Sequence, residues 1–219
     1  MISKRTGEEE EIMEKAVIVG AGGHAKVIAD ILLQNGEYEI AGLIDKTAKE
    51  GFWGIPVLGD DDYLAELYRT EKIRYAFVAL GNGKLREKIS QHILDIGYQL
   101  INAISHHAVL SPTCKVGLGV AVMPGTVINA EAEIGNGCIV NTNASVDHEV
   151  KVGEYSHIAP GCAISGCVQI GRHCLIGTGS RIIDKIRIGD YVTVGAGAAV
   201  IRDHMETGTV VGIPARKIK

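Results

Sequence analysis

From Ile104 to Val200 every sixth residue is aliphatic, seventeen positions in one register without an insertion. A period of six fits neither the 3.6 of a helix nor the alternation of a strand, so it describes short strands meeting at tight corners. Four residues after each of the first sixteen aliphatics comes a small or β-branched side chain, among them Cys114, Ala132, Cys138, Cys162, Val168 and Cys174, and none is charged. Gly117, Gly135, Gly153, Gly171, Gly177, Gly189 and Gly195, with Asn129, Asn141 and Asp147, follow the aliphatic directly and are expected to supply the backbone freedom of the corners. Three hexads close one triangular coil, so residues 104–200 make a little over five coils. Prisms of this kind must cover flat faces, and side-by-side homotrimers with a groove between neighbours are the expected solution.

The 219 residues divide around that repeat: a flexible lead-in over 1–14, a first domain over 15–102, the solenoid over 103–200 and a closing segment over 201–219. KAVIVG, YEIAGLI, YAFVAL and YQLINAI read as strands, separated by helical stretches, which gives a small parallel α/β sheet with right-handed crossovers. A net charge of −4 without a basic block argues against a nucleic-acid partner. No apolar run approaches a membrane span, and the charged start lacks the apolar core of a signal peptide, so a cytoplasmic protein is expected. Cys114, Cys138, Cys162 and Cys174 occupy the inward repeat position and read as small core residues; only Cys167 does not.

Gly20-Ala21-Gly22-Gly23-His24-Ala25 lies between a strand and a helix, with Asp45 ending the next strand. Alone this indicates a Rossmann-type dinucleotide site. About 90 residues precede the solenoid, room for one mononucleotide half, so a single nucleoside diphosphate fits better. Amides from Gly22 to His24 would hold phosphate, Asp45 and Lys46 would meet ribose or base, and Gly81-Asn82 would lie on the same carboxyl edge.

Asp147, His148 and Glu149 fall at a solenoid corner, where side chains face solvent or a neighbour. An amine attacks a thioester only as the free base, and a histidine with an adjacent carboxylate is suited to take its proton. Glu149 is the expected orienting group and Asp147 the weaker candidate. A zinc lyase of the β-helix carbonic anhydrase type would need three imidazoles converging from successive coils, which the spacing of His148, His157 and His173 does not provide.

The hexad repeat, its close at Val211-Gly212-Ile213-Pro214-Ala215, the GAGGHAK turn, Asp45-Lys46 and the string DHEVKVGEYSHIAPG together resemble the NeuD/PglD-like bacterial sugar acetyltransferases from Lys15 onward. The resemblance implies a small Rossmann-like parallel α/β domain binding a nucleotide sugar, followed by a left-handed parallel β-helix. It implies acetyl-CoA as co-substrate, no metal, and N-acetylation of a nucleotide-linked amino sugar, with a UDP-4-amino sugar favoured. By the same resemblance His148 is the general base. His157 contacts acetyl-CoA or the sugar, Gly166 offers a backbone N–H to the thioester oxygen, and Asn141 lines the sugar pocket. Gly195 and Pro214 belong to the CoA side. Gly20, Gly22, Gly23, His24, Asp45, Lys46, Gly81 and Asn82 form the nucleotide site. Arg181, Lys185, Arg187, Arg216, Lys217 and Lys219 are cations available to CoA phosphates. A sugar O-acetyltransferase is the alternative within the same chemistry, and a non-catalytic nucleotide-sugar sensor the alternative outside it.

Overall fold

The computed structural model describes residues 13–218; the expected lead-in lies almost wholly outside them, as does Lys219. The first domain runs β1 (Glu14–Val19), α1 (Gly23–Asn35), β2 (Tyr38–Ile44), β3 (Val57–Gly59), a short 3₁₀ turn (Asp61–Tyr63), α2 (Leu64–Thr70), β4 (Tyr75–Val78), α3 (Gly83–Ile96) and β5 (Gln99–Leu100). The sheet is parallel in the order β3-β2-β1-β4-β5. Strand β3 is an addition to the sequence reading, and the expected strand YQLINAI is two pieces, Gln99–Leu100 in this sheet and Ala103–Ile104 in the solenoid. α1 ends where Gly36 adopts φ 67° and its N–H caps Leu32 O; α3 ends the same way at Gly97.

The solenoid consists of seventeen short strands, each containing one aliphatic of the repeat, and each of the first fourteen pairs in parallel with the strand eighteen residues on, as Val127 does with Ser145. Three faces result. The first carries Ala121, Ile139 and His157, the second Val127, Ser145 and Ala163, and the third Lys115, Glu133 and Lys151. Val122, Ile128, Val140, Val146, Ile158 and Ile176 are fully buried inside the prism, each contributing roughly 1.5–3 kcal/mol. After Val200 the strand Gly208–Val211 adds to the first face, and Arg216–Lys217 returns antiparallel against it.

The corner geometry corrects one expectation. The left-handed residue is the third after the aliphatic, with φ between 54° and 73° from Gly119 through Asn143 and Glu149 to Gly197. The glycines directly after the aliphatic answer a different demand: a Cβ at Gly153 would lie 2.5 Å from the carbonyl carbon of Gly171 in the next coil. Close coil spacing, not backbone freedom, selects them.

α1 joins the two units. Ile28, Ile31 and Leu32 pack with Ile18, Leu43 and Phe77 of the sheet in one buried cluster that also includes Ala103, Ala121, Met123 and Ile139 of the solenoid's first face. No helix among the described residues is long and apolar enough to cross a membrane.

Candidate active site

Gly20 ends β1 with φ 112°, and a Cβ there would come 2.9 Å from Ala79 O, so only glycine brings the turn this close to β4. Gly22 then caps α1 without any side-chain hydrogen bond and with no acidic residue in the first turn. The first amides of α1 are therefore unclaimed by side chains and can meet an anion. Asp45 ties this loop to the end of β2: Oδ2 accepts from Ala21 N at 3.0 Å, and Oδ1 accepts from the N–H groups of Thr47 and Ala48 and the Thr47 hydroxyl. Burial opposes its charge, but those donors outweigh it and hold the carboxyl below its ordinary range. Beside it lies a cleft of about 210 Å³ walled by Ile44, Leu80, Leu85 and Ile89, with Lys46 and Asp61 at its mouth. Gly81 and Asn82 do adjoin this edge, yet their visible roles are structural: Asn82 Oδ1 caps α3 by accepting from Leu85 N at 3.0 Å, and Gly81 O accepts from Arg86.

Where α1 and α3 meet the first solenoid face, His24, Arg86, Asn141 and His157 gather. The Asn141 side-chain oxygen accepts from Thr142 N at 2.8 Å, which turns its amide nitrogen toward His157 Nε2 at 3.1 Å. Asn141 therefore donates, and His157 is the neutral tautomer with its proton on Nδ1. Burial first, then the charge of Arg86, lowers the pKa of His157 to about 4, and the same two causes lower His24 to about 4. His24 Nε2 is buried without a partner among the described residues.

His148 stands at the corner between the second and third faces. Its Nδ1 lies 3.1 Å from Glu149 Oε2, which places the ring proton on Nδ1 and leaves Nε2 as the acceptor. Hydrogen bonds from His148 and then from the Cys167 thiol hold Glu149 below its ordinary pKa. Asp147 is occupied otherwise, accepting from His148 N and Asn129 Nδ2, so Glu149 is the orienting carboxylate. Gly166, one coil on, passes directly over the imidazole: a Cβ there would lie 2.4 Å from His148 Nε2. Its backbone N–H has no acceptor among the described residues.

The chain does not unite these groups in one place. The His148 corner is opposite the face that carries the first domain, so Nε2 and the nucleotide edge point to different sides of the prism. Gly195 lies beneath the returning tail, where a Cβ would sit 2.7 Å from Val211, and Pro214 is in the turn that follows. Arg181 caps the carbonyls of Gly161 and Gly179, Arg187 pairs with Asp203, and Lys217 pairs with Glu206. The three histidines weighed for zinc are apart, since His173 is stacked between Tyr155 and Tyr191 beside Glu87. A different trio, His148, Glu149 and Cys167, brings ligand atoms within 4.8 Å of one another on the surface.

Sequence reasoning missed Arg86 and Cys167. Arg86 is 1% exposed and donates to the carbonyls of Leu80, Gly81, Gly137 and Tyr155. Its signal was present, because it shares a helical stripe with Ile89 and Ile93. Cys167 is eighteen residues beyond Glu149, which in this fold means directly above it.

Comparison with known proteins gives two family matches, the PglD N-terminal domain over residues 15–93 and the bacterial transferase hexapeptide (six repeats) over 167–202. PerB from Caulobacter crescentus, solved in complex with CoA and GDP-perosamine, is 40% identical with a TM-score of 0.90, covering 94% of this chain and 97% of that one. The acetyltransferase domain of PglB from Neisseria gonorrhoeae, solved in complex with acetyl coenzyme A, is 35% identical with a TM-score of 0.89, covering 94% and 100%. GDP-perosamine N-acetyltransferase of Escherichia coli O157:H7 is 29% identical over 144 residues, 63% of this chain and 64% of that protein. An uncharacterized protein of Acanthamoeba polyphaga mimivirus is 35% identical over 124 residues but matched over only 24% of its own length, so the curated relatives are spanned for less than two thirds.

Proposed function

The chain belongs to the NeuD/PglD-like family of sugar acetyltransferases, and from that membership we propose that it transfers the acetyl group of acetyl-CoA to the amino group of a nucleotide-linked sugar. The observation that carries the reading is the corner where Glu149 holds His148 by Nδ1, Nε2 is free, and the unclaimed N–H of Gly166 lies beside it. The amine nitrogen attacks the thioester carbon as its proton passes to His148 Nε2, forming the C–N bond. Charge on the former carbonyl oxygen is met by the Gly166 N–H. The C–S bond then breaks, and the imidazolium returns the proton to the departing CoA sulfur. Glu149 keeps the ring in the required tautomer and stabilises the imidazolium.

The nucleotide is held by the α1 turn, Asp45 and Lys46, and the sugar reaches past His24 toward Asn141 and His157. CoA lies along the late coils against Gly195, Pro214 and the tail. Because one prism directs His148 away from its own first domain, the working unit is a homotrimer in which one protomer's His148 meets its neighbour's nucleotide edge. The second face supports this, since its outward residues Val109, Val127, Ser145, Ala163 and Ala199 are small or apolar, with Arg181 the one cation among them. The Asp45-Lys46 pair behind the uridine preference does not decide the base; PerB was solved with GDP-perosamine, and the Escherichia coli relative is a GDP-perosamine N-acetyltransferase.

The test is release of CoA thiol from acetyl-CoA in the presence of GDP-, UDP- and dTDP-linked 4-amino sugars, with the acetylated atom located by mass spectrometry. Transfer to nitrogen is expected, and His148→Ala should lower kcat by about 10²–10⁴ while CoA binding persists. Acetyl on oxygen would identify the O-transferase alternative. No turnover with any amino sugar, or turnover indifferent to His148, would refute the reading.

A further inference from the structure

The base cleft carries a charged pair whose pattern is selective. Lys46 Nζ lies 3.1 Å from Asp61 Oδ2, and the Asp61 side chain is only 16% exposed, whereas Lys46 is 63% exposed. Asp61 is held there because the 3₁₀ turn that starts with it is capped by Asp60, which accepts from Asp62 N. Its second oxygen, Oδ1, has no donor among the described residues, although the carboxylate borders the 210 Å³ cleft between Ile44, Leu80, Leu85 and Ile89. The cleft shares Lys46, Asp61, Leu85 and Ile89 with a wider hollow of about 660 Å³ along α3, so a base with two rings has room to extend. The protein thus offers there a donor, Lys46, beside a carboxylate whose Oδ2 is paired to it and whose Oδ1 has no donor.

Among the common bases, guanine presents the complement in order: the O6 acceptor, then the N1–H and N2–H donors, which a carboxylate receives side by side. Uracil and thymine match only halfway. Their O4 and N3–H suit Lys46 and one Asp61 oxygen, but O2 would then face the other oxygen, acceptor against acceptor. Adenine reverses the order, with the N6–H2 donor where guanine has O6 and an acceptor N1 where guanine has N1–H. We infer that the Lys46–Asp61 pair reads guanine, so that the nucleotide-linked sugar bound by this chain is a GDP-sugar. This rests on placing the nucleotide in the first domain, and it names Asp61, a residue with no previous role, as the one that sets specificity.

Calorimetry with GDP and UDP alone tests it on the whole protein without needing the sugar. Wild-type protein is expected to bind GDP at least about tenfold more tightly than UDP, the worth of one bidentate base contact. Asp61→Asn turns one acceptor into a donor that suits uracil O2, and should narrow the preference at least about tenfold or reverse it. Lys46→Met removes a donor used by both bases, so it should weaken GDP and UDP alike and leave their ratio unchanged. Retained CoA binding by each variant shows that it is folded. UDP bound as tightly as GDP by the wild type, neither nucleotide bound, or an unchanged ratio in Asp61→Asn would overturn the inference. Acetyl transfer is read separately: GDP preference without thiol release would sink the proposed reaction and spare the base assignment, and the reverse result would do the opposite.

Discussion

Any side chain at Gly166 must share space with the imidazole of His148. The ring is the mobile end of an exposed residue, so the conflict is relieved by moving it and costs the fold little. Gly166→Ala is therefore expected to keep the thermal midpoint within a few degrees while kcat falls by about tenfold or more, since Nε2 no longer stands where the amine arrives. A variant with wild-type kcat would detach Gly166 from catalysis. His24 and His157 yield a pH prediction. Both are lowered from 6.5 to about 4 by burial and Arg86, so in the folded chain they stay neutral where the unfolded chain takes up protons. Stability from this source is complete above pH 6.5 and declines as pH falls from 6.5 toward 4. At about 1.4 kcal/mol per pKa unit each histidine contributes at most about 3.5 kcal/mol, and the two together at most about 7 kcal/mol. The urea midpoint at about pH 5 should lie clearly below that at about pH 7.5. His157→Gln should reduce the difference, and an unchanged pH dependence in that variant would exclude His157 as a source.

α3 is fastened to the solenoid by Arg86, whose guanidinium serves four backbone carbonyls and no carboxylate, and by Gly83, where a Cβ would lie 2.6 Å from Tyr155 O, so that only glycine lets the helix start come this close. Arg86→Met would strand those carbonyls, at a cost of about 1–3 kcal/mol for each one left buried and unsatisfied. The loss should appear as faster hydrogen exchange over α3 and the 98–103 connection, with the later coils still protected; uniform exchange across the chain would contradict it. The contrast also explains what the sequence disclosed. Hexads declare themselves because each inward aliphatic is fixed by its own coil, so spacing alone locates every strand. The corners did not, because the left-handed position accepts Glu149, Tyr155, Cys167 and His173 as well as glycine, and the conspicuous glycines meet a packing demand between coils. β3 escaped notice because Val57–Gly59 is three residues of half-buried edge with no alternation to detect. Asn82 suggested a ligand contact, although an asparagine three residues before a helical leucine is equally a cap. Arg86 and Asp61 act through residues far away in sequence, and no local pattern announces such partners.

For the whole molecule, the proposed trimer, in which His148 meets a neighbour's nucleotide edge, makes function a property of the assembly. His148→Ala and Asp45→Ala chains should each be inactive alone. Co-refolded in equal amounts, they should regain roughly a quarter of wild-type activity, the chance that one interface joins an intact base to an intact nucleotide site. No recovery, in mixtures shown by light scattering to be trimeric, would place the complete site within one chain. The tail has a consequence of another kind. A solenoid is a stack that could go on growing, because its last coil exposes the same ladder of amides and carbonyls that every earlier coil used to receive its successor. Here Gly208–Val211 adds one more parallel rung, and the chain then doubles back through Pro214 so that Arg216–Lys217 runs against the grain and ends the repeat with two exposed cations. In the language of polymers this reversed strand is a chain terminator, separating a prism of fixed length from a fibre.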